Sequence, residues 1–244
     1  MRFTLETHEI VEVVRPITSG VTQPYLCLLS DDRLYAVKGR GALRTGLIAE
    51  VVSGWLGKRL GIPIPDFGLA KVPRMMSDHH LDGDFDHSIG RGTVFASLWR
   101  EPFDMITMPA LPNLNVEILA KIYVFDHWIK NGDRTLSDHG GNPNLMIDLD
   151  SGDLIAIDHN LAFLEKYQPS ELEFHACRSA WKRQSQDLFF VDRLKYAMSD
   201  IGRDIEEIID MLPYEWVEEA DDFLASILDS LERASAENFW AELS

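Results

Sequence analysis

Three oxygen-bearing side chains, Asp133, Asn144 and Asp158, have the types and the order needed for chemistry on a phosphate. Asp133 follows Asn131-Gly132 in a polar stretch, where a carboxylate can accept the proton of an attacking hydroxyl. Asn144 opens the apolar run Leu145-Met146-Ile147, and Asp158 closes the run Leu154-Ile155-Ala156-Ile157. Between the runs lies Asp148-Leu-Asp-Ser-Gly-Asp153, so the segment reads as a hairpin. With the turn centred near Ser151, Asn144 and Asp158 are equally far from it, and antiparallel pairing is expected to set them side by side. A carboxamide and a carboxylate so placed are hard oxygen ligands suited to Mg²⁺, which keeps several waters and takes other contacts from phosphates. Any one of these residues is also an ordinary turn or strand-end residue. All three in this order point to a site.

The order of a loop Asp, an Asn entering a strand and an Asp leaving the next resembles the catalytic and metal-binding segments of protein kinases and phosphoinositide kinases. More narrowly, Asp133-Arg134-Thr135, Asn142-Pro143-Asn144-Leu145 and Ile157-Asp158-His159 look like the HipA-like kinase family. By that resemblance Asp133 is the catalytic base, Asn144 a metal ligand and Asp158 the counterpart of the Asp in Asp-Phe-Gly. The resemblance implies ATP and Mg²⁺ as cofactors and a Ser/Thr protein acceptor. The residues themselves do not distinguish a protein from a small-molecule hydroxyl. In this sequence 136–141 looks like an insertion that lengthens the loop and leaves Asn142 as a second candidate ligand. Asn144 is preferred because it abuts the strand.

Upstream elements must supply the cation. Residues 10–38 alternate strand-like runs with turns, and a hairpin ending in Lys38 is what a nucleotide-binding lobe would provide, its ammonium meeting the α/β-phosphates. The turn around Ser19-Gly20 is expected above the phosphates, where its backbone N–H groups can donate. Gly39-Arg40-Gly41 reads either as a second phosphate contact or as the exit from the Lys38 strand. A helix is expected over 45–60 from the spacing of Leu47, Ile48, Val51, Val52, Trp55 and Leu56. Glu50 lies on another face between Gly46 and Gly54, where a second element can approach closely. It looks like the helix Glu that pairs with the strand Lys in active kinases. The strand 93–99 is expected to place Ser97, Leu98 and Trp99 at the cleft floor, their backbone meeting the adenine edge. Prolines 102, 109 and 112 are expected to break regular structure beyond it.

Asp66-Phe67-Gly68 is the kinase tripeptide in letters, but it precedes Asp133 and follows two prolines, so a strand start is expected there. The Asp- and His-rich stretch 77–88 lacks the Gly and Glu of a calcium loop and reads as a solvated connection. A helix over 116–129 is expected to stop at Gly132 and aim Asp133 outward. Asp126 and His127 on it read as structural, and Arg134 either as a neighbour of the base or as a surface charge. Beyond Phe163 the apolar stripes are helical to the end.

The fold class expected is α/β (α+β), a two-lobed protein-kinase-like fold. A β-rich nucleotide-binding lobe spans 1–111, and a mainly helical catalytic lobe spans 112–244. The 244 residues are 45% hydrophobic, enough for two lobes sharing a cleft, and a net charge of −17 argues against nucleic acid or an anionic membrane surface as the main partner. Two cysteines without zinc spacing, and no membrane-length apolar run or signal-peptide core, lead to the expectation of a cytoplasmic protein. An antitoxin-like regulator is a candidate partner. Two rival readings are a metal-dependent phosphohydrolase built from the Asp and His residues of 126–159, and an inactive kinase relative that binds nucleotide without turnover.

Overall fold

The computed structural model describes residues 3–18, 22–74, 76, 83–137 and 139–243. Five strands, β1 (Thr7–Pro16), β2 (Tyr25–Leu29), β3 (Leu34–Lys38), β4 (Phe67–Val72) and β5 (Gly92–Leu98), close into a barrel in the order β1-β2-β3-β5-β4. Asp66-Phe67-Gly68 is indeed the start of a strand, with Asp66 paired to Lys58. The barrel's own core includes Ile10, Cys27, Leu29, Val37 and Ala96. Its end is closed by the short helix α2 (Gly83–Ser88), whose Phe85 meets Tyr25 edge-on at 5.1 Å. The solvated connection expected over 77–88 is thus a helix in its described part, because Phe85 finds an apolar site no local pattern announces. Residues 77–82 lie outside the described residues.

Helix α1 (Leu43–Leu60) begins two residues earlier than expected and ends at Gly61, whose φ of +79° is left-handed. Its glycines make room for neighbours. A Cβ on Gly54 would lie 2.6 Å from the Phe67 ring, and one on Gly46 would lie 3.2 Å from the Asn160 carbonyl oxygen. Gly39 is packed just as tightly against the Ile89 backbone, so 39–41 is a close-packed exit from β3.

After the barrel, β6 (Phe103–Met105) pairs with β7 (Leu145–Asp148), which pairs with β8 (Leu154–Ala156) in a three-stranded antiparallel sheet. The segment expected to be irregular therefore contains a strand. Its three residues are mostly exposed, so only tertiary pairing marks it. The hairpin register also corrects the expected one. Leu145 pairs with Ala156, Asp148 N–H donates to Asp153 O at 3.0 Å, and Ile157 N–H donates to Asn144 O. The turn centre falls between Asp150 and Ser151, so Asn144 stands opposite Ile157 and Asp158 lies one residue beyond. The Asp148 side chain sets this turn by accepting from Asp150 and Ser151 N–H.

Helix α3 (Val116–Trp128) starts where Asn115 accepts from Glu117 and Ile118 N–H. Its exit runs through Lys130, at φ +55°, not through Gly132. Gly132 answers a different constraint, because Glu171 packs where its Cβ would be. Downstream, α4 (Arg178–Gln184), α5 (Leu188–Arg203), α6 (Glu206–Ile209), α7 (Tyr214–Val217), α8 (Asp221–Glu232) and α9 (Glu237–Ala241) form the helical lobe. No helix among the described residues is long and apolar enough to cross a membrane.

The lobes are tied on the side away from the hairpin. Helix α1 packs against α5, α6 and α7 as well as against β4 and β5. Arg59 pairs with Asp204, and Trp216 donates its indole N–H to Thr93 O at 3.1 Å while Glu215 accepts from Thr93 N–H at 2.7 Å. Trp216 is 3% exposed. Trp216→Ala is expected to cost about 3–5 kcal/mol, read as a lower urea midpoint with an unchanged m-value.

A second prediction concerns acid. His127 is fully buried, with Nδ1 2.8 Å from the Tyr167 hydroxyl and Nε2 3.2 Å from Glu242 Oε2, a carboxylate whose charge Arg233 Nη2 also meets at 3.2 Å. Burial, and then Arg233, push it down to about 3. The unfolded chain takes up a proton at about 6.5, so the folded state loses stability as pH falls from there toward 3, by up to about 1.4 kcal/mol per pH unit. Urea midpoints should fall between pH 7 and pH 5, and fall less in His127→Gln. An equal drop in both proteins would refute the assignment.

Candidate functional site

Lys38 ends β3 opposite Phe95 of β5, and Glu50 sits mid-α1 on the glycine-flanked face. Both are buried, and Lys38 Nζ lies 2.5 Å from Glu50 Oε1 and 2.7 Å from Asp158 Oδ1. Burial opposes the ammonium, but Glu50 and then Asp158 outweigh it and hold Lys38 above the ordinary lysine range. Burial raises Glu50 despite the Lys38 charge, whereas Asp158 is lowered because Lys38 overcomes the cost of its burial. One cation thus joins the barrel, the helix and the end of the hairpin.

Asp133 follows α3 and receives two amide hydrogen bonds on Oδ2, from Asn142 Nδ2 at 3.0 Å and Asn144 Nδ2 at 3.1 Å. Burial and then Asp158 raise its pKa, moving it toward what a proton acceptor needs. Asn144 is buried with φ +47°, and its amide faces Asp133, which leaves its carbonyl oxygen for another contact. Asn142 is exposed. The register offset noted above does not part the candidate ligands, since Asn142, Asn144 and Asp158 all line one cleft of ≈ 240 Å³ together with Lys38 and Glu50. This donor set is made of hard oxygens. Asp158 and Asp133 disfavour each other's charge, an imbalance a divalent cation would relieve.

Ser97, Leu98 and Trp99 line the same cleft. However, Leu98 N–H donates to Asp66 O at 2.7 Å and Trp99 N–H to Leu34 O at 2.9 Å, so those two donors are engaged within the fold. Ser19 and Gly20 lie outside the described residues; Thr22, just after them, lines the cleft.

Beneath the cleft is a buried polar hub that sequence reasoning saw only in part. Arg134, one of the two options for which was a surface charge, has no exposed side-chain area. Its Nε donates to Asp126 Oδ2 at 2.6 Å, its Nη1 to the carbonyls of Asn144 (2.6 Å) and Pro143 (3.2 Å), and its Nη2 lies 3.1 Å from His159 Nε2. Asp126 also accepts from Asn131 Nδ2 and from His175 Nε2 at 2.8 Å. Cys177 N–H donates to His175 Nδ1, which fixes the ring proton on Nε2. Burial raises Asp126, but Arg134 above all, and then His175, outweigh it and leave Asp126 well below the usual carboxylate range. Burial, then Arg134, push His159 down to about 3. His175 carries no local signal, being 49 positions from Asp126.

A protein-family model described as HipA-like kinase matches residues 10–243. Among solved structures, the Helicobacter pylori proinflammatory kinase CtkA resembles this chain with a TM-score of 0.57 at 10% identity, over 98% of this chain and 97% of that one. At that identity the likeness shows the fold alone. The Golgi casein kinase, at a TM-score of 0.44 and 10% identity over 98% of this chain and 75% of that one, adds nothing further. No curated protein sequence matches. With the family model running across nearly the full sequence and the fold that of a kinase, this chain belongs to the HipA-like kinase family.

Proposed function

We propose that this chain is an ATP- and Mg²⁺-dependent phosphotransferase that moves the γ-phosphoryl group to a hydroxyl, with a Ser/Thr protein side chain as the acceptor. The observation that carries the reading is the convergence of Lys38, Glu50, Asn144 and Asp158 on one cleft, with Asp133 hydrogen-bonded to Asn144 at its edge. Lys38 would hold the α/β-phosphates, and Glu50 would keep it there. Asn144 Oδ1 and the Asp158 oxygen not taken by Lys38 would hold Mg²⁺, which supplies charge to the phosphates and the leaving oxygen. Asp133 would take the acceptor's proton as its oxygen bonds to phosphorus and the bond to the β-phosphate oxygen breaks, leaving ADP. With the Leu98 and Trp99 N–H groups engaged, the adenine edge would meet the chain beyond them, where Arg100 lines the same cleft.

In this proposal 1–111 is the nucleotide-binding lobe and 112–244 the catalytic lobe, although β6 belongs by pairing to the hairpin's sheet. The choice of a protein over a small-molecule acceptor and the antitoxin-like regulator rest on the family resemblance, and the cytoplasmic setting on the two free, buried cysteines. A phosphohydrolase is disfavoured because Asp126 and His159, which it would recruit, are both engaged with Arg134 in the buried hub. One observation favours a relative that binds nucleotide without turnover: the Asn142 and Asn144 amides both donate to Asp133 Oδ2, which disfavours a proton on that oxygen.

Labelled ATP with Mg²⁺ and a pool of Ser- and Thr-containing peptides separates the readings. Asp133→Ala should lower label transfer about 10²- to 10⁴-fold while ADP binding is kept. Asp158→Ala should lose the Mg²⁺-dependent part of ADP binding. Transfer that persists in Asp133→Ala would overturn the assigned base, and ADP binding without transfer in the parent would favour the non-catalytic relative.

A further inference from the structure

Asp158 has φ +63°, a left-handed conformation that costs a non-glycine residue on the order of 1 kcal/mol. Such a backbone persists only where its surroundings over-determine it. On the N-terminal side the restraints are the hydrogen bonds from Ile157 N–H to Asn144 O and from Arg134 Nη1 to Ile157 O at 3.4 Å. On the C-terminal side the restraint is His159, whose backbone groups and ring Nε2 are all engaged, with Nδ1 3.9 Å from Glu50 Oε2. Its backbone N–H donates to Glu50 Oε2 at 3.2 Å, and its carbonyl accepts from Ala162 N–H. The ring is 2% exposed and meets Phe125 edge-on at 5.9 Å. Its Nε2 lies 3.1 Å from Arg134 Nη2. A guanidinium only donates, so Nε2 must accept, and the ring hangs from the hub that also grips the Asn144 carbonyl.

We propose that His159 is a positioning residue: anchored on Arg134, its ring holds Asp158 in the left-handed conformation that turns the carboxylate toward Lys38 and the metal position. The inference rests on the phosphotransferase reading and names a side chain that borders the cleft but is almost wholly buried, and so would act through Asp158. The same guanidinium holds the Asn144 backbone directly and Asp158 through His159, so both candidate ligands take their positions from one buried cation. The anchor needs an acceptor at the Nε2 position, not a histidine as such. Glutamine can place its Oε1 near that point, asparagine is too short to reach it, and phenylalanine keeps the ring against Phe125 without any acceptor.

The test is Mn²⁺ binding in the presence of ADP, followed by the electron paramagnetic resonance of free Mn²⁺, beside ADP binding without metal. His159→Phe should weaken Mn²⁺ binding about 10- to 100-fold, the range for losing a group that orients a metal ligand. Metal-free ADP binding should stay close to that of the parent, a split that general loosening of the fold would not produce. His159→Gln should bind Mn²⁺ much as the parent does, and His159→Asn should resemble His159→Phe. Should His159→Phe fail to fold, the Gln and Asn variants decide by the same comparison. Parent-like Mn²⁺ binding in both acceptor-less variants, or equal losses in Gln and Asn, would overturn the inference and leave the phosphotransferase reading standing. A parent that binds no Mn²⁺ with ADP would overturn both.

Discussion

A charged guanidinium without solvent is the constraint around which this molecule is arranged. Taking Arg134 out of water is costly, and attraction to Asp126 offsets that cost only if the remaining N–H groups also find acceptors. They find them on three segments far apart in sequence: the carbonyls at 143–144, the ring of His159, and Asp126 on α3. Any arrangement that satisfies Arg134 therefore fixes where the loop after Asp133, the start of β7 and the end of β8 stand relative to one another. Asp133 is the residue before this arginine, so the proposed base is held by its neighbour's bonds. His175, protonated on Nε2 by the demand of Cys177 N–H, completes the shell of Asp126.

The ion triad above the hub works differently. Lys38 lies between two carboxylates, Glu50 and Asp158, and all three are mostly withdrawn from water. Burial raises Glu50, to which the Asp158 charge adds, while at Asp158 the Lys38 charge outweighs burial. With Asp133 also raised, the cleft carries an excess of negative charge whose natural complement is a cation. The backbone shows the same preparation, since Asn144 and Asp158 are both left-handed, at φ +47° and +63°. Five other described non-glycine residues share such a φ, but at the two candidate ligands it is offset by hydrogen bonds on either side, the pattern of side chains aimed by the backbone.

The sequence made legible what depends on neighbours along the chain. Lys38 at the end of a strand, Glu50 between two glycines, the two apolar runs flanking a turn and the helical stripes beyond Phe163 all express local periodicity or turn chemistry, and each element formed. What stayed hidden depends on residues remote in sequence. The register was off by one because the Asp148 side chain, accepting from two N–H groups, moves the turn centre by half a residue. Gly132 looked like a helix stop, but its role is to admit Glu171, and the left-handed exit falls on Lys130. Strand β6 has no alternation to betray it. The burial of Arg134 was illegible for the same reason, since an arginine in a polar loop reads as solvated until its acceptors are brought to it.

Helix α1 links the two scales. One of its faces must admit Phe67 from β4 and the Asn160 carbonyl from beyond β8, and only glycines at positions 54 and 46 leave that space. Glu50 stands between them, so the approach that brings it to Lys38 also brings Phe67 and Asn160 against the helix. From the other side α5, α6 and α7 press on α1, and α7 reaches past it to hold Thr93 of β5. The helix is therefore gripped by the barrel, the hairpin's exit and the C-terminal helices together. A displacement of α1 large enough to part Glu50 from Lys38 would have to open contacts on all three sides, which makes the ion pair a property of how the lobes pack and not of the two side chains alone.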